Sequence, residues 1–378
     1  FFANRYGRKK VMMIISVLFT ISSLGCALSQ SVFMLAFFRL IAGIAVGAVS
    51  VIAPMYISEI APAEKRGTLV SFNQFAIVIG ILLAYVFNYF LIDFVDGWRY
   101  MLAIPFVFSM LFFGYLSVSF PESPRWLLSK GKNEEAMAVL IKIGGTHYAK
   151  DEMQSMEQSM IKDTRKEKAS FYDLFKGRTG KVVLLGTLLA AFQQITGINA
   201  VVSYAPIIFE KTGVGGNTAS MQSILVGLVN FLATIVALWL VDKKGRKTLL
   251  LWGAAGMTLS LSYLTYAFTF NGNNLSIVVA LLAYIAFFAA SFAPVMWVVT
   301  SEIYPNRVRG IALSFSTTIS WLCTFVIVQS SPYVLNQFGG AFLFGFFAVL
   351  SLLAFVFVKK WIPETKGKSL EEIEREII

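Results

Sequence analysis

The pattern Glu-Ile-x-Pro-x-x-x-Arg-Gly occurs twice in this chain, at Glu59 to Gly67 and at Glu302 to Gly310. Gly7-Arg8-Lys9 returns as Gly245-Arg246-Lys247, and Pro121-Glu122-Ser123-Pro124-Arg125 is echoed by Pro363-Glu364-Thr365-Lys366-Gly367. The three offsets are 243, 238 and 242 residues, so the chain carries a duplicated unit of about 240 residues. The duplication calls for two similar halves. In a membrane chain, such halves point to a binding site at the boundary between them.

Composition places the chain in a bilayer. Charged residues are 14% of the total and hydrophobic residues 57%, where a soluble chain carries about a quarter charged. Apolar runs near the ~20 residues needed to span a bilayer fall at 11–28, 32–53, 68–91, 101–120, 181–209, 218–241, 248–269, 276–300, 308–331 and 340–361. The net charge of +11 is no nucleic-acid signature: 29 of the 32 basic residues lie in alternate loops and the tail. Arg99 and Lys211 fall on the opposite side, and Arg39 lies inside a span. By the positive-inside rule both ends are cytoplasmic, as in a multi-pass protein of a plasma or inner membrane.

The repeat also gives an expectation for organisation. The last four spans pair with the first four, whereas 181–209 and 218–241 have no upstream partner. The reading is a chain with ten of an expected twelve transmembrane helices, lacking the first two. The expected parts are a four-helix partial N-terminal bundle over 1–120, a cytoplasmic linker over 121–180, a six-helix C-terminal bundle over 181–362 and a cytoplasmic tail over 363–378. Within the linker, Ala136, Val139, Leu140 and Ile143 keep helical spacing, which predicts short amphipathic helices.

Several chemistries find no support in the residues. His147 is the only histidine, and Cys26 and Cys323 lie in different spans without a Cys-x-x-Cys, so neither a metal cluster nor a redox pair is expected. No phosphate-binding glycine loop or His-Glu-x-x-His occurs. The expectation is a protein that is not an enzyme and uses no cofactor or metal.

Seven segments together carry a family resemblance. They are Arg5 to Lys9, Arg39 to Gly43, Pro54 to Glu59, Pro121 to Trp126, Gln193 to Asn199, Asp242 to Lys247 and Pro363 to Gly367. The chain resembles the sugar porters of the major facilitator superfamily, the group of glucose facilitators and bacterial xylose/proton symporters. The resemblance implies an all-α major facilitator fold with two pseudo-symmetric bundles. Two departures stand out. Asn4 replaces the aspartate that the family places before its first Arg-x-Gly-Arg, and Ser203 replaces a tyrosine that often precedes the one matched by Tyr204.

Two sets of residues are candidates for function. Glu59 and Glu302 lie where spans leave the membrane, near Arg8, Arg66, Arg246 and Arg309, with Asp242 kept in the second copy. Carboxylate–guanidinium pairs are directional and bidentate, suited to a cytoplasmic gate that locks the two bundles together. The alternative is solvated loop charges worth ~0–1 kcal/mol each. The second set is polar and mid-membrane, where such groups usually face a cavity. Gln193, Gln194 and Asn199 share one span, with Tyr204 further along, and Gln74 and Asn230 lie on others. On a straight helix Gln194 and Asn199 diverge by about 140°, but Gly197 and Pro206 predict a bent or broken one. Carboxamides offer donors and acceptors to paired hydroxyls without charge, and Trp297 and Trp321 offer flat faces for a pyranose. The resemblance implies sugar-binding roles for Gln74, Gln193, Gln194, Asn199, Asn230 and Trp297, with Trp321 beside them. For each amide the alternative is an interhelical bond that only packs the bundle, ~0.6 kcal/mol on average.

Arg39 is the only basic residue well inside a span and needs a partner. The resemblance implies a coupling role for it, opposite an aspartate of the first helix. The expected activity is transport of a monosaccharide by alternating access, with proton symport as first choice and facilitated diffusion as second. A membrane sugar sensor on the same fold is the alternative of another class. The expected partners are the sugar, a proton and the lipid bilayer, with no nucleic acid, and the chain is read as a monomer.

Overall fold

A computed structural model describes residues 2–61, 66–164, 171–210, 216–305 and 308–366. The described residues are helical throughout, with no strand among them. Ten helical segments are long and apolar enough to cross a membrane, each overlapping one of the ten runs read from the sequence. The chain divides into two compact units, residues 1–73 with 90–167 and residues 74–89 with 168–378.

The first unit begins with a short helix, α1 (Phe2–Tyr6), followed by the spans α2 (Arg8–Ala27) and α3 (Val32–Ile60). The ends of α4 (Arg66–Leu91) and the span α5 (Gly97–Val118) follow. Ser31 starts α3 by accepting the Met34 N–H at 3.2 Å, as serine does at an N-cap. α3 runs through Pro54 to Ile60, past its expected end at 53, because helix proline is tolerated inside membrane bundles. The small core joins Val11, Met12 and Ile15 of α2 to Ala45, Ile52 and Tyr56 of α3 and Leu116 of α5. Large apolar side chains such as Phe33, at 89% exposure, and Leu40, at 63%, cover the outside of α3. A surface this apolar is compatible with lipid and not with water.

Two helices lie within the segment expected to link the bundles. Ser123 caps α6 (Pro124–Ser129), with Pro124 at its first position. A kink at Gly145 divides α7 (Asn133–Thr164). Leu127, Leu128, Ala136, Leu140, Ala149 and Met153 form a separate small core there. His147 is exposed and meets Asp151 at 2.9 Å.

The second unit opens with a 3-10 turn at Phe171–Phe175 and continues with α8 (Gly177–Ile195), α9 (Ile198–Glu210), α10 (Gly216–Lys244) and α11 (Arg246–Thr269). It ends with α12 (Asn274–Ala289), α13 (Phe292–Ile303), α14 (Arg309–Gln337) and α15 (Gly339–Trp361). Two spans are broken. The expected span 181–209 divides at Thr196-Gly197, as its glycine suggested. The span expected to run unbroken over 276–300 divides at Ala290-Ser291, where Ser291 takes φ −134 and ψ −84. The core is large and continuous, with Tyr284, Phe292, Tyr304, Phe344 and Phe347 almost fully enclosed.

The helix α4, expected wholly in the first bundle, divides its packing. Residues Gln74–Tyr89 belong with the second unit. Phe75 stacks on Phe231 of α10 at 5.2 Å between ring centres, and the Tyr85 hydroxyl donates to the Val202 carbonyl of α9. Val78 is fully buried on the same segment, whereas Ile77 and Leu83 are exposed.

Candidate functional site

The repeated motifs build the same joint twice at helix ends, once in each unit. In the first unit, Gly7 (φ 94) turns the chain into α2, and Glu122 accepts the backbone N–H groups of Arg8 at 2.8 Å and Lys9 at 3.2 Å. Those are orphan donors at a helix N-terminus, where a carboxylate is doubly favoured by hydrogen bonding and by the helix dipole. A side chain on Gly7 would fall on Glu122 itself, so the glycine serves both the positive φ and the close approach. Arg8 then reaches Glu59 at 2.7 Å, and the other oxygen of Glu59 accepts from the Ser123 hydroxyl at 2.5 Å.

In the second unit, Gly245 (φ 89) and Glu364 repeat the cap, with Glu364 accepting the N–H groups of Arg246 at 2.8 Å and Lys247 at 3.1 Å. Arg246 meets Glu302 at 3.2 Å. Here the copies diverge. Glu302 Oε2 and the Thr365 hydroxyl, counterparts of the atoms joined in the first unit, are both buried without a partner among the described residues. Arg309 donates its Nε–H to the Tyr304 carbonyl at 3.2 Å, and one of its terminal nitrogens is buried and unpartnered. The Tyr304 phenol lies in a buried hydroxyl chain with Ser316 (2.5 Å) and through it Thr187 (2.9 Å). Burial pushes that phenol up, so it stays a neutral donor.

The sequence reading named these charges as a gate able to lock the two bundles together, without assigning each arginine a partner. The structure pairs each arginine with a carboxylate of its own unit, Arg8 with Glu59 and Arg246 with Glu302. Proximity within the repeat explains this: each arginine begins the helix that packs beside the helix carrying its glutamate. The side chains of Arg66 and Asp242 lie outside the described residues. Glu122 and Glu364 were missed as functional residues, although their recurrence at the same offset as the arginines was the available signal.

The mid-membrane amides converge at the two helix breaks. Gly197 adopts φ 97 between α8 and α9, and a Cβ there would strike the Phe347 ring. The break swings Asn199 back towards α8 despite the angle a straight helix would impose. Gln193, 4% exposed, donates to the carbonyls of Phe292 at 3.0 Å and Ala293 at 3.3 Å, the first residues of α13. Gln194 donates to Gln193 Oε1 at 3.0 Å, and Asn199 donates to Gln194 Oε1 at 2.5 Å. Tyr284 closes the break from α12, donating to the Thr196 carbonyl at 2.9 Å.

The direction of this amide chain follows from its anchor. Backbone carbonyls can only accept, so Gln193 must turn its NH2 to them and its oxygen to Gln194. Each following amide is then oriented in turn. What remains for a ligand is the second N–H of Gln194, the second N–H of Asn199 and Asn199 Oδ1: neutral donors beside a neutral acceptor, suited to adjacent hydroxyls. No charged side chain takes part in the chain.

The other candidates are not joined to it. Gln74 is half-buried on the part of α4 that packs with this unit, and Asn230 is buried on α10, where its carbonyl accepts from Thr234 at 2.8 Å. Neither side chain hydrogen-bonds to the amide chain among the described residues. Trp297 on α13 and Trp321 on α14 are 38% and 45% exposed. In the first unit, Arg39 is exposed on α3 and has no ion-pair partner among the described residues. No group of three or more metal-ligating side chains occurs among the described residues.

Comparison with known proteins agrees with this geometry. Residues 1–377 match the family described as "Sugar (and other) transporter". The D-xylose-proton symporter of Escherichia coli (strain K12) is 38% identical over 403 residues, which cover 98% of this chain and 81% of the symporter. The glucose facilitated diffusion protein of Zymomonas mobilis is 37% identical, over 98% of this chain and 82% of its own length. Among solved structures, the proton:xylose symporter XylE bound to 6-bromo-6-deoxy-D-glucose superposes with a TM-score of 0.84 at 38% identity, covering 100% of this chain and 85% of XylE. With its ten spans, two repeated joints at helix ends and a neutral amide cluster at a broken helix, the chain belongs to the sugar porter family of the major facilitator superfamily.

Proposed function

We propose that this protein carries a monosaccharide, a pentose or hexose, across the membrane by alternating access, and that the sugar binds at the Gln194–Asn199 end of the amide chain. The observation that carries the reading is the oriented, uncharged run from Gln193 to Asn199 at the α8–α9 break. Relatives include a D-xylose-proton symporter, an arabinose-proton symporter and a glucose facilitated diffusion protein. Gln74, Asn230, Trp297 and Trp321 complete the proposed site. Transport of this kind involves no chemical step and no cofactor.

Proton symport is the first reading of coupling and uniport the second, with Arg39 as the candidate coupling residue because an intramembrane cation is costly unless it has a task. The cytoplasmic joints are the proposed gate: each must loosen for the inner ends of its helices to separate. Both described ends lie on the basic, cytoplasmic side in this reading, in a monomer organised as two bundles on either side of the 121–180 linker. The test is uptake by the protein in liposomes. Labelled xylose, arabinose and glucose should show saturable, competitive entry. Sugar added to de-energised liposomes should alkalinise the outside if a proton accompanies it. Saturable entry without a pH change selects uniport, and no saturable entry with any monosaccharide defeats the reading.

A further inference from the structure

Proline inside a helix leaves the carbonyl four residues earlier without its N–H partner. In a bilayer that carbonyl has no water to turn to, so a neighbouring group must supply a donor. The second unit contains two such positions. Pro206 in α9 frees the carbonyl of Val202, and Pro332 in α14 frees that of Val328. The Tyr85 hydroxyl of α4 donates to Val202 O, and the Tyr204 hydroxyl of α9 donates to Val328 O at 3.2 Å.

The two bonds lie on one line of elements. α9 receives a phenol from α4 through its own proline-freed carbonyl, and sends a phenol to the proline-freed carbonyl of α14. Tyr85 and Gly227 also let α4 approach α10 closely, which fixes where the Tyr85 ring stands. At its other end α9 begins one residue after Gly197, so the half-helix is free of covalent helical continuity with α8. Asn199, the terminal amide of the proposed sugar site, is the second residue of α9.

We infer that Tyr85 and Tyr204 are positioning residues that pin the half-helix α9 through proline-freed carbonyls, and so hold Asn199 at the place where sugar binds. The inference rests on the proposed sugar site for its functional part, while the pins themselves are independent of it. Tyr85 acts at a distance: it reaches the ligand only by holding Val202. Of the two bonds, that from Tyr204 is long for O–H···O.

The test uses Tyr85→Phe, Pro206→Ala and the double variant in the purified protein, each with a melting curve, amide hydrogen exchange over residues 198–210 without sugar, and sugar affinity by calorimetry. Tyr85→Phe leaves Val202 O unpaired and α9 unpinned. We expect a lower melting temperature, faster exchange in α9 and a roughly two- to tenfold loss of affinity, the range for one net hydrogen bond. Adding Pro206→Ala returns an N–H to Val202 O, so melting recovers, but no bond to α4 returns and affinity stays low. That split is the signature of a pin, since a purely structural role would bring affinity back together with stability. Tyr204→Phe and Pro332→Ala should repeat the split.

Unchanged melting and exchange in Tyr85→Phe would overturn the inference, as would affinity recovering with stability in the double variant. A parent protein that binds no monosaccharide removes the proposed site. Melting and exchange would still decide the pins, so the two failures are distinguishable.

Discussion

Gln194→Leu separates recognition from packing at the amide chain. The leucine has similar volume but removes the donor to Gln193 Oε1 and the acceptor for Asn199 Nδ2, bonds of 3.0 and 2.5 Å. Gln193 is 4% exposed, so its oxygen becomes a buried orphan, costing ~1–3 kcal/mol of stability. Asn199 is half-buried and can rehydrate, so its share is smaller. For the ligand, the change removes the free N–H of Gln194 and lets Asn199 turn away. Two hydrogen bonds at ~0.5–1.5 kcal/mol each give an affinity loss of about five- to a hundredfold. Gln194→Glu should also weaken binding, because a carboxylate cannot donate to Gln193 Oε1 and is costly beside a neutral ligand. The assay is calorimetry or tryptophan fluorescence on the protein, with a melting curve for each variant. A lower melting temperature with unchanged affinity would refute the recognition role and leave the amides as packing alone.

Other outcomes test the charged joints and the breaks. Glu302→Gln or Arg246→Ala should leave sugar affinity nearly intact while slowing counterflow, since the pair stands at the helix ends and apart from the amides; equal loss of both would remove the gate reading. Glu364→Ala uncaps α11 by deleting the acceptor of two backbone N–H groups and should lower stability by ~1–2 kcal/mol, read from thermal melting. Gly197→Ala combines a positive φ with a clash against Phe347, so it should cost both stability and binding. An alanine variant that binds sugar normally would show that the break is not needed to place Asn199.

The spans and the duplication were open to reading because they rest on local facts. Apolar runs reveal themselves by length, and the positive loops by charge. The break after Thr196 was visible through Gly197, which has a positive φ that other residues avoid. The break at Ala290-Ser291 was not, because no glycine stands at it and the span reads as evenly apolar. It depends on partners far along the chain, among them Gln193, which donates to two carbonyls just beyond it. The residues of the ion pairs were legible from the repeat, but sequence spacing shows that Arg8 and Glu59 recur together without showing which carboxylate each arginine meets. The split packing of α4 was hidden for the same reason: Phe75 and Tyr85 look like any lipid-facing aromatic until Phe231 and Val202 O are in place.

The unequal joints have a mechanical consequence. In the first, Glu59 is enclosed and both its oxygens are engaged, by Arg8 and by Ser123. Arg8 Nε is buried without a partner among the described residues, so this joint holds one orphaned group. In the second, Glu302 Oε2 and the Thr365 hydroxyl are both buried without a partner among the described residues. Letting water in relieves them, at ~1–3 kcal/mol for each orphaned group. Two copies of one ancestral hinge are therefore loaded unequally, and a pull applied equally to both would open the second first.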